Sequence, residues 1–305
     1  MIKKFFVKNN NNFDWIAIDW GTTNFRAYFI KNDIIIKKVS TSDGIKNIKK
    51  NNFEKTLTKN LGLKNNLNDN IIILSCGMIG SQQGWIDTGY VKNLNLKNKN
   101  LVKVNTRNKK LHFFIVKGIF QKNPYDVIRG EETQISGFLS LFKNYSGYVC
   151  LPGTHSKWVK IYKGKILNFK TFMTGEMYEM ITTNSILKHS ILEKKINLKV
   201  FDNSFLISLK SEFNIFANLF EIRSRYLLSK KKYHPRSEIL GYLIGSEIKN
   251  NFKNIKKSKV AIIGSKYNSK IYSRVLNKLK IENSSFNSSD ITIQGLKNFY
   301  KRLKI

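Results

Sequence analysis

The sequence is short of cysteine, of acidic residues and of long apolar runs, and each shortage narrows what the chain does. Only two cysteines, Cys76 and Cys150, occur in 305 residues, and both fall in apolar, strand-like stretches. A disulfide framework is not indicated; two small buried thiols are. The four histidines, at 112, 155, 189 and 234, lack the spacing that ligates a metal. No apolar run approaches the ~18–20 residues that a membrane span requires. The opening stretch MIKKFFVKNNNNFDW is basic but reaches its asparagines before any hydrophobic core of a signal peptide, so a soluble cytoplasmic protein is expected.

Asp and Glu together number 20 against 54 Lys and Arg, a formal net charge of +34. Taken alone, that excess points to nucleic acid or another anionic surface. The lysines, however, are scattered through 46–64, 92–110, 188–199, 230–236 and 249–259, mixed with Asn and Ile rather than gathered into one arm. Binding needs a focused patch, so the excess reads as compositional drift on tolerant surface positions. Against that background the acids are informative. Asp19, Asp87, Glu131, Glu132, Glu176, Glu179, Glu221, Glu238 and Glu247 stand within or beside Gly-containing or apolar segments. With 41 % hydrophobic and 12 % aromatic residues, wholesale disorder is excluded, and the length suits two compact lobes.

Residues 15–20 and 25–30 read as a hairpin, 34–40 as a third strand, and 71–75 (IIILS) as a short buried strand entering the polar loop CGMIGSQQGWIDTGY. A strand is expected over 111–119, then a helix opening at RGEE with Ile135, Phe138, Leu139 and Phe142 on one face. The opening pattern then returns. GYVCLPGTHSKWVKIY (147–162) is again strand, Gly turn and strand, which suggests two similar units. Helices are expected over 177–188, 204–229 and 237–250, near 267–280 and from 291 onward, with a strand at 259–263.

The turns carry the chemistry. In DWGTTNFR, Gly21 lets the backbone approach a ligand, Thr22, Thr23 and Asn24 supply donors, and Arg26 adds a cation that meets phosphate bidentately. Asp19 would repel phosphate unless a cation intervenes, and hydrated Mg²⁺ is its natural partner. The alternative is an ordinary hairpin with a buried, hydrogen-bonded aspartate. PGTHSK repeats the turn with Gly153, Thr154 and Lys157, and a third Gly turn follows a strand at Gly264 and Ser265. Three such turns can surround one nucleotide. Phosphoryl transfer to a hydroxyl also needs a residue that orients and deprotonates it. Glu131 and Glu132 at a helix start are candidates, although acids there also simply stabilise a helix. Arg129 could hold an acidic substrate group or pair with a glutamate. Ser81, Gln82, Gln83 and Trp85 suit a sugar, or a structural loop.

These residues resemble a family. DWGTTNFR is similar to the first phosphate motif of the sugar-kinase, heat-shock-chaperone and actin superfamily. IAIDWGTTNFRAY, GMIGSQQGW, RGEETQISG, LPGTHSKWV, FMTGEMYEM and LFEIRSRYLL together resemble the 2-dehydro-3-deoxygalactonokinase family over about residues 13 to 300. The resemblance implies a two-lobed α/β actin-like ATPase (ribonuclease H-like) fold with an interdomain cleft. The lobes would be 13–130 and 131–290, with 291–305 a C-terminal helix packing back toward the first. It implies ATP-dependent phosphorylation of 2-dehydro-3-deoxy-D-galactonate to its 6-phosphate, with ATP and Mg²⁺ as cofactors. Asp19 would hold the metal through water, and Gly21, Thr22, Thr23, Arg26, Gly153, Thr154 and Lys157 would contact phosphates. Gly264 and Ser265 would lie near adenosine, with Glu131 the first choice of base and Glu132 the reserve. The expected partners are a small sugar acid and Mg-ATP, with no membrane or nucleic acid and a homodimer as an option. Two rival readings remain: another sugar or sugar-acid kinase on the same fold, and a non-catalytic anion-binding protein. The latter gives no reason for carboxylates at Asp19, Glu131 and Glu132.

Overall fold

Trp15 and Ala17 face one side of the first strand while Ile16, Ile18 and Trp20 face the other, and both sides are buried. That is the signature of a strand in the middle of a covered sheet. The computed structural model of the chain describes residues 12–63, 69–92, 100–229 and 233–303. The stretch at 1–11, on which the signal-peptide reading rests, lies outside them, as do parts of the lysine-rich segments.

In chain order the first elements are β1 (Trp15–Trp20), β2 (Phe25–Lys31), β3 (Ile34–Thr41), α1 (Phe53–Leu61), β4 (Ile71–Cys76), β5 (Tyr90–Val91), β6 (Leu101–Lys103), β7 (Leu111–Val116), β8 (Gly118–Lys122), β9 (Tyr125–Ile128) and α2 (Glu131–Leu141). There follow β10 (Gly147–Leu151), β11 (Ser156–Tyr162), β12 (Lys165–Phe172), α3 (Thr174–Thr183), α4 (Leu198–Ser208), α5 (Ile215–Leu228), α6 (Pro235–Ile255), β13 (Val260–Gly264), α7 (Lys266–Lys278), β14 (Asn283–Asn287) and α8 (Ser288–Leu303). One sheet has the order β3-β2-β1-β4-β7-β6, another β12-β11-β10-β13-β14, and a small one β5-β8-β9. In both larger sheets a central strand is antiparallel to its hairpin partner and parallel to a later strand on its other side. This strand order, met twice, is the ribonuclease H-like unit of the two-lobed actin-like ATPase fold. The repeat between 15–30 and 147–162 is therefore one of topology.

The chain divides into two compact units, one running to Tyr145 and regained from Ser288, the other Ser146–Asn287. The expected boundary at 130/131 falls instead after Tyr145, because α2 packs on α8 and belongs with the first unit. A methyl group on Gly137 would overlap the Ile291 carbonyl oxygen, and one on Gly295 the Thr133 carbonyl oxygen, so the two helices touch backbone to backbone. In this unit α1 covers one face of the sheet with Phe53, Leu57 and Leu61. The other face is covered by α8 through Ile293, Leu296, Phe299 and Tyr300, with Tyr300 stacked on Trp15 at 4.3 Å. Each such side chain contributes about 1.5–3 kcal/mol on burial. In the second unit α4, α6 and α7 pack on β10, β11 and β13 around Phe201, Phe205, Ile244, Ile248 and Val275.

Several expected elements differ. The helix expected over 204–229 is two, α4 and α5, because Asn214 caps the second by accepting from the N–H groups of Phe216 and Ala217. The helix expected over 177–188 starts and ends earlier and is followed by a 3₁₀ turn, Ile186–Ser190. Leu139 is only half-buried and Phe142 is exposed, so the buried side of α2 is formed by Glu132, Thr133, Ile135, Ser136, Gly137 and Phe138. Cys76 and Cys150 are buried and unbridged. No described helix is long and apolar enough to cross a membrane.

Candidate active site

The turn after β1 is held from behind. The carbonyl oxygens of Gly21, Thr22 and Thr23 accept from the N–H groups of Ile45, Lys46 and Gly44, at 3.1, 3.1 and 3.2 Å. With its carbonyls bound on that side, the turn exposes Thr22, Thr23 and Asn24. Gly44 has no room for a side chain, since a Cβ there would overlap Thr22 and Thr23 backbone. This brace went unnoticed in the sequence, where its only signal is a lone glycine in TSDGIKN.

Alternation along β1 puts Asp19 on the same face as Trp15 and Ala17, the face that α2 and α8 occupy. Arg26, its register partner on β2, donates to Asp19 Oδ2 at 2.9 Å. The Asp19 side chain is 24 % exposed. Burial raises its pKa, the Arg26 guanidinium lowers it, and the negative charge of Glu131 raises it again. Cys76, beside Asp19 in the parallel register, also feels Asp19, Glu132 and Glu131, so these groups share one neighbourhood. Between them runs Gly77, at φ 95°, whose Cβ would lie 2.7 Å from the Trp20 carbonyl oxygen. Only glycine takes that backbone position without strain.

The two glutamates at the head of α2 are not equivalent. Glu132 is 1 % exposed and curls back on its own helix end, accepting from the Gly130 N–H and, at 2.9 Å, from the Thr133 hydroxyl. Burial and the neighbouring Glu131 charge push its pKa up to about 8. Glu131 is only half-buried. The donors offered here are hard oxygens, and among the described residues no group of three His, Cys, Asp or Glu closes on a metal. Such a donor set fits a hydrated divalent cation that completes its shell with water and phosphate, as Mg²⁺ does, and not a zinc-type ion.

The loop after β4 gives the residues expected at the sugar site different surroundings. Ser81 is buried and donates to the Met78 carbonyl at 2.7 Å. Trp85, partly buried, packs against the core between Phe53 and Phe113, with ring centroids at 6.2 and 5.1 Å. Arg129 is 5 % exposed in its side chain and already engaged: it donates to Thr88 Oγ1 at 2.6 Å and the Gly89 carbonyl at 3.2 Å, and lies over Tyr90 at 4.4 Å. Ser81 and Arg129 thus carry local hydrogen bonds, and Trp85 lies partly exposed against the core. Gln82 and Gln83 remain exposed.

In the second unit the turn Pro152–Ser156 is gripped by α3. A Cβ on Gly175 would overlap the Gly153 carbonyl oxygen and crowd Thr154, and the Glu176 N–H donates to the Thr154 carbonyl at 2.9 Å. His155 Nε2 and Glu176 Oε2 pair at 2.6 Å. Lys157 is buried and its Nζ donates to the His155 carbonyl at 2.8 Å, so it braces the turn from beneath. Gly264 packs against Pro152, and Asn268 Nδ2 donates to the Pro152 carbonyl at 3.3 Å, which brings the second and third Gly turns together. The Ser265 hydroxyl caps α7 by accepting from the Asn268 N–H. Where α3 and α7 diverge, a cavity of about 1090 Å³ opens, lined in part by Tyr178, Arg236, Tyr267 and Lys270. Gly175, Glu176, Tyr178 and Tyr267, three of them within FMTGEMYEM, come beside the Gly153–Thr154 turn or the adjoining cavity only through the fold.

A profile of the family described as 2-keto-3-deoxy-galactonokinase matches residues 19–299. The chain is 30 % identical over 246 residues to a Rhizobium meliloti protein assigned as a 2-dehydro-3-deoxygalactonokinase, across 77 % of this chain and 79 % of the relative. It is 28 % identical over 240 residues to the 2-dehydro-3-deoxygalactonokinase of Escherichia coli, with 77 % and 79 % covered. The crystal structure of a Sinorhizobium meliloti protein assigned to the same activity superposes with a TM-score of 0.85 at 26 % identity, covering 94 % of this chain and 96 % of that one.

Proposed function

The chain belongs to the 2-keto-3-deoxy-galactonokinase family, and from that premise we propose how its residues divide the work of phosphorylating 2-dehydro-3-deoxy-D-galactonate. The protein is a phosphotransferase: it moves the γ-phosphoryl group of ATP to an alcohol oxygen of the sugar acid and releases ADP. In this reading the acceptor is the 6-hydroxyl. Glu131 takes its proton as the oxygen attacks phosphorus and the bond to the ADP oxygen breaks. Glu132 ties the head of α2 to the Gly130 N–H and fixes the direction of Glu131. Asp19 would hold Mg²⁺, which would supply positive charge against the phosphates. Arg26 keeps the Asp19 carboxylate in place, and Gly21, Thr22 and Thr23 meet phosphate oxygens through N–H and hydroxyl groups.

In the second unit Gly153 and Thr154 offer the same donors. Lys157 shapes their turn and adds a positive charge below it. Gly264 and Ser265 border the nucleoside, for which the cavity beside Tyr178 and Tyr267 has room. Gln82 and Gln83 are the polar groups left for the sugar acid. A cytoplasmic location goes with Mg-ATP as donor, and the reading holds for a monomer and a homodimer alike.

The observation that carries it is the closeness of Asp19, at the carboxyl end of β1, to the head of α2: Gly77 lies against the Asp19 carboxylate and also against Gly130, the residue before Glu131. A coupled ADP-release assay with a panel of 2-keto-3-deoxy sugar acids tests it. Turnover is expected with the galactonate-derived acid. Asp19→Asn and Glu131→Gln should each lose about a hundredfold or more, with Glu132→Gln losing far less. A Glu131→Gln variant as fast as wild type would remove Glu131 as the base. Turnover confined to another sugar acid would move the chain to a sibling specificity.

A further inference from the structure

One buried carboxylate near the second turn has no part in the chemistry above. Glu247, in the middle of α6, is 1 % exposed. Its Oε1 accepts from the Trp158 indole N–H at 2.7 Å. Its Oε2 accepts from the Tyr272 hydroxyl at 3.0 Å and from the Thr174 hydroxyl. The Tyr272 hydroxyl also lies 2.9 Å from Ser156 Oγ. None of these partners is a cation. Burial works against the ionised form, and the surrounding hydrogen bonds work for it.

The identity of the partners is what matters. Ser156 and Trp158 flank Lys157 on β11, immediately after the Gly153–Thr154 turn. Thr174 precedes Gly175, the residue pressed on the Gly153 carbonyl. Tyr272 stands on α7, whose cap is Ser265. Three elements that carry donor-site residues are thus tied to the two oxygens of one side chain on a fourth. A carboxylate is suited to this because it accepts on both oxygens and donates on neither. An amide would turn a donor toward donors, and an alkyl chain would leave all of them unmatched.

We infer that Glu247 is a positioning residue for the phosphate donor, setting the spacing of the Gly153–Thr154 turn, the start of α3 and the Gly264–Ser265 turn without touching the nucleotide. The inference rests on the assignment of that turn to the donor. Pre-organised donors act only if their spacing is held before the ligand arrives.

The test compares wild type, Glu247→Gln and Ile248→Val, the last a one-methylene loss in the same core with no polar role. Hydrogen–deuterium exchange is followed in peptides covering 152–158 and 174–183, with ADP affinity by calorimetry and KM for each substrate. Glu247→Gln should exchange faster in both peptides and raise the ADP Kd and the KM for ATP by about tenfold or more, while the KM for the sugar acid holds. Ile248→Val should change none of these. If Glu247→Gln does not fold, Tyr272→Phe, which removes one donor and keeps the ring, should show the same pattern more weakly. Unchanged exchange and ADP affinity would overturn the inference, as would equal weakening of both substrates. Wild type that binds no ADP would sink the donor assignment itself, and the exchange data would still report whether Glu247 holds the turn.

Discussion

Glu132 sits among groups that pull its proton in opposite directions. Its two hydrogen bonds favour the carboxylate, yet burial dominates and, with the charge of Glu131, pushes the pKa from 4.5 up to about 8. A folded pKa above the unfolded one means that the folded state holds the proton more tightly. The stability this contributes is therefore complete below pH 4.5 and is lost as pH rises through about 8. Asp19 and Glu247 shift in the same direction. Urea midpoints of wild type should fall between about pH 5 and about pH 9, and Glu132→Gln, fixed in the uncharged form, should fall less. Parallel slopes would show that Glu132 titrates alike in both states. The same residue separates two glutamates that the adjacent letters EE leave alike: Glu132 is buried on the helix end, and Glu131 is half-buried beside it.

Helices α2 and α8 cross where both carry glycine, and side-chain amides seal the crossing: Gln134 to Thr292 at 3.2 Å, Gln294 to Ser140 at 3.1 Å and Asn298 to the Ser136 carbonyl at 3.2 Å. This contact aims the head of α2, and so Glu131. Gly137→Ala sets two effects against each other. Alanine favours a helix interior by about 1 kcal/mol. Overpacking costs about 1–3 kcal/mol, and more where the overlapped atom is backbone that cannot rotate away. The overlap with the Ile291 carbonyl should win. Equilibrium urea unfolding should give a lower midpoint for Gly137→Ala with turnover reduced alongside; an equal or higher midpoint would mean that the helices part at no cost. Elements of this kind were unevenly readable. The hairpin β1–β2 showed in its two apolar runs around a Gly turn, whereas β14, with the polar sequence NSSFN, is a strand only because β13 lies parallel beside it.

The net charge of +34 acts on the molecule as a whole. Scattered like charges repel one another and disfavour the compact state, and salt screens them over about 10 Å at 0.1 M. The melting temperature should therefore rise as salt is raised from about 0.02 M to about 0.3 M, read by calorimetry. A fall would mean that ion pairs such as Arg274–Asp202 outweigh the repulsion. Tight retention of an oligonucleotide at about 0.15 M salt would overturn the reading of the charge as surface drift.

The two units share a strand order but not a chemistry, because the position near the end of the central strand is Asp19 in one and, one step from the turn in the other, the apolar Cys150–Leu151 pair. That difference, the Gly–Thr turns, the apolar strand runs and the short motifs behind the family resemblance could all be read from the letters, since each depends on residues a few positions apart. The rest could not. Trp85 came to lie against Phe53 and Phe113, and Arg129 to bond Thr88 and Gly89, only when the loop after β4 folded beside α1 and β7. Glu247 meets Trp158 and Thr174 across separations of 89 and 73 residues. Local pattern reports which face a residue prefers. Which partner waits on that face is settled by packing between distant segments, and it is there that the brace at Gly44, the grip of Gly175 and the hub at Glu247 were decided.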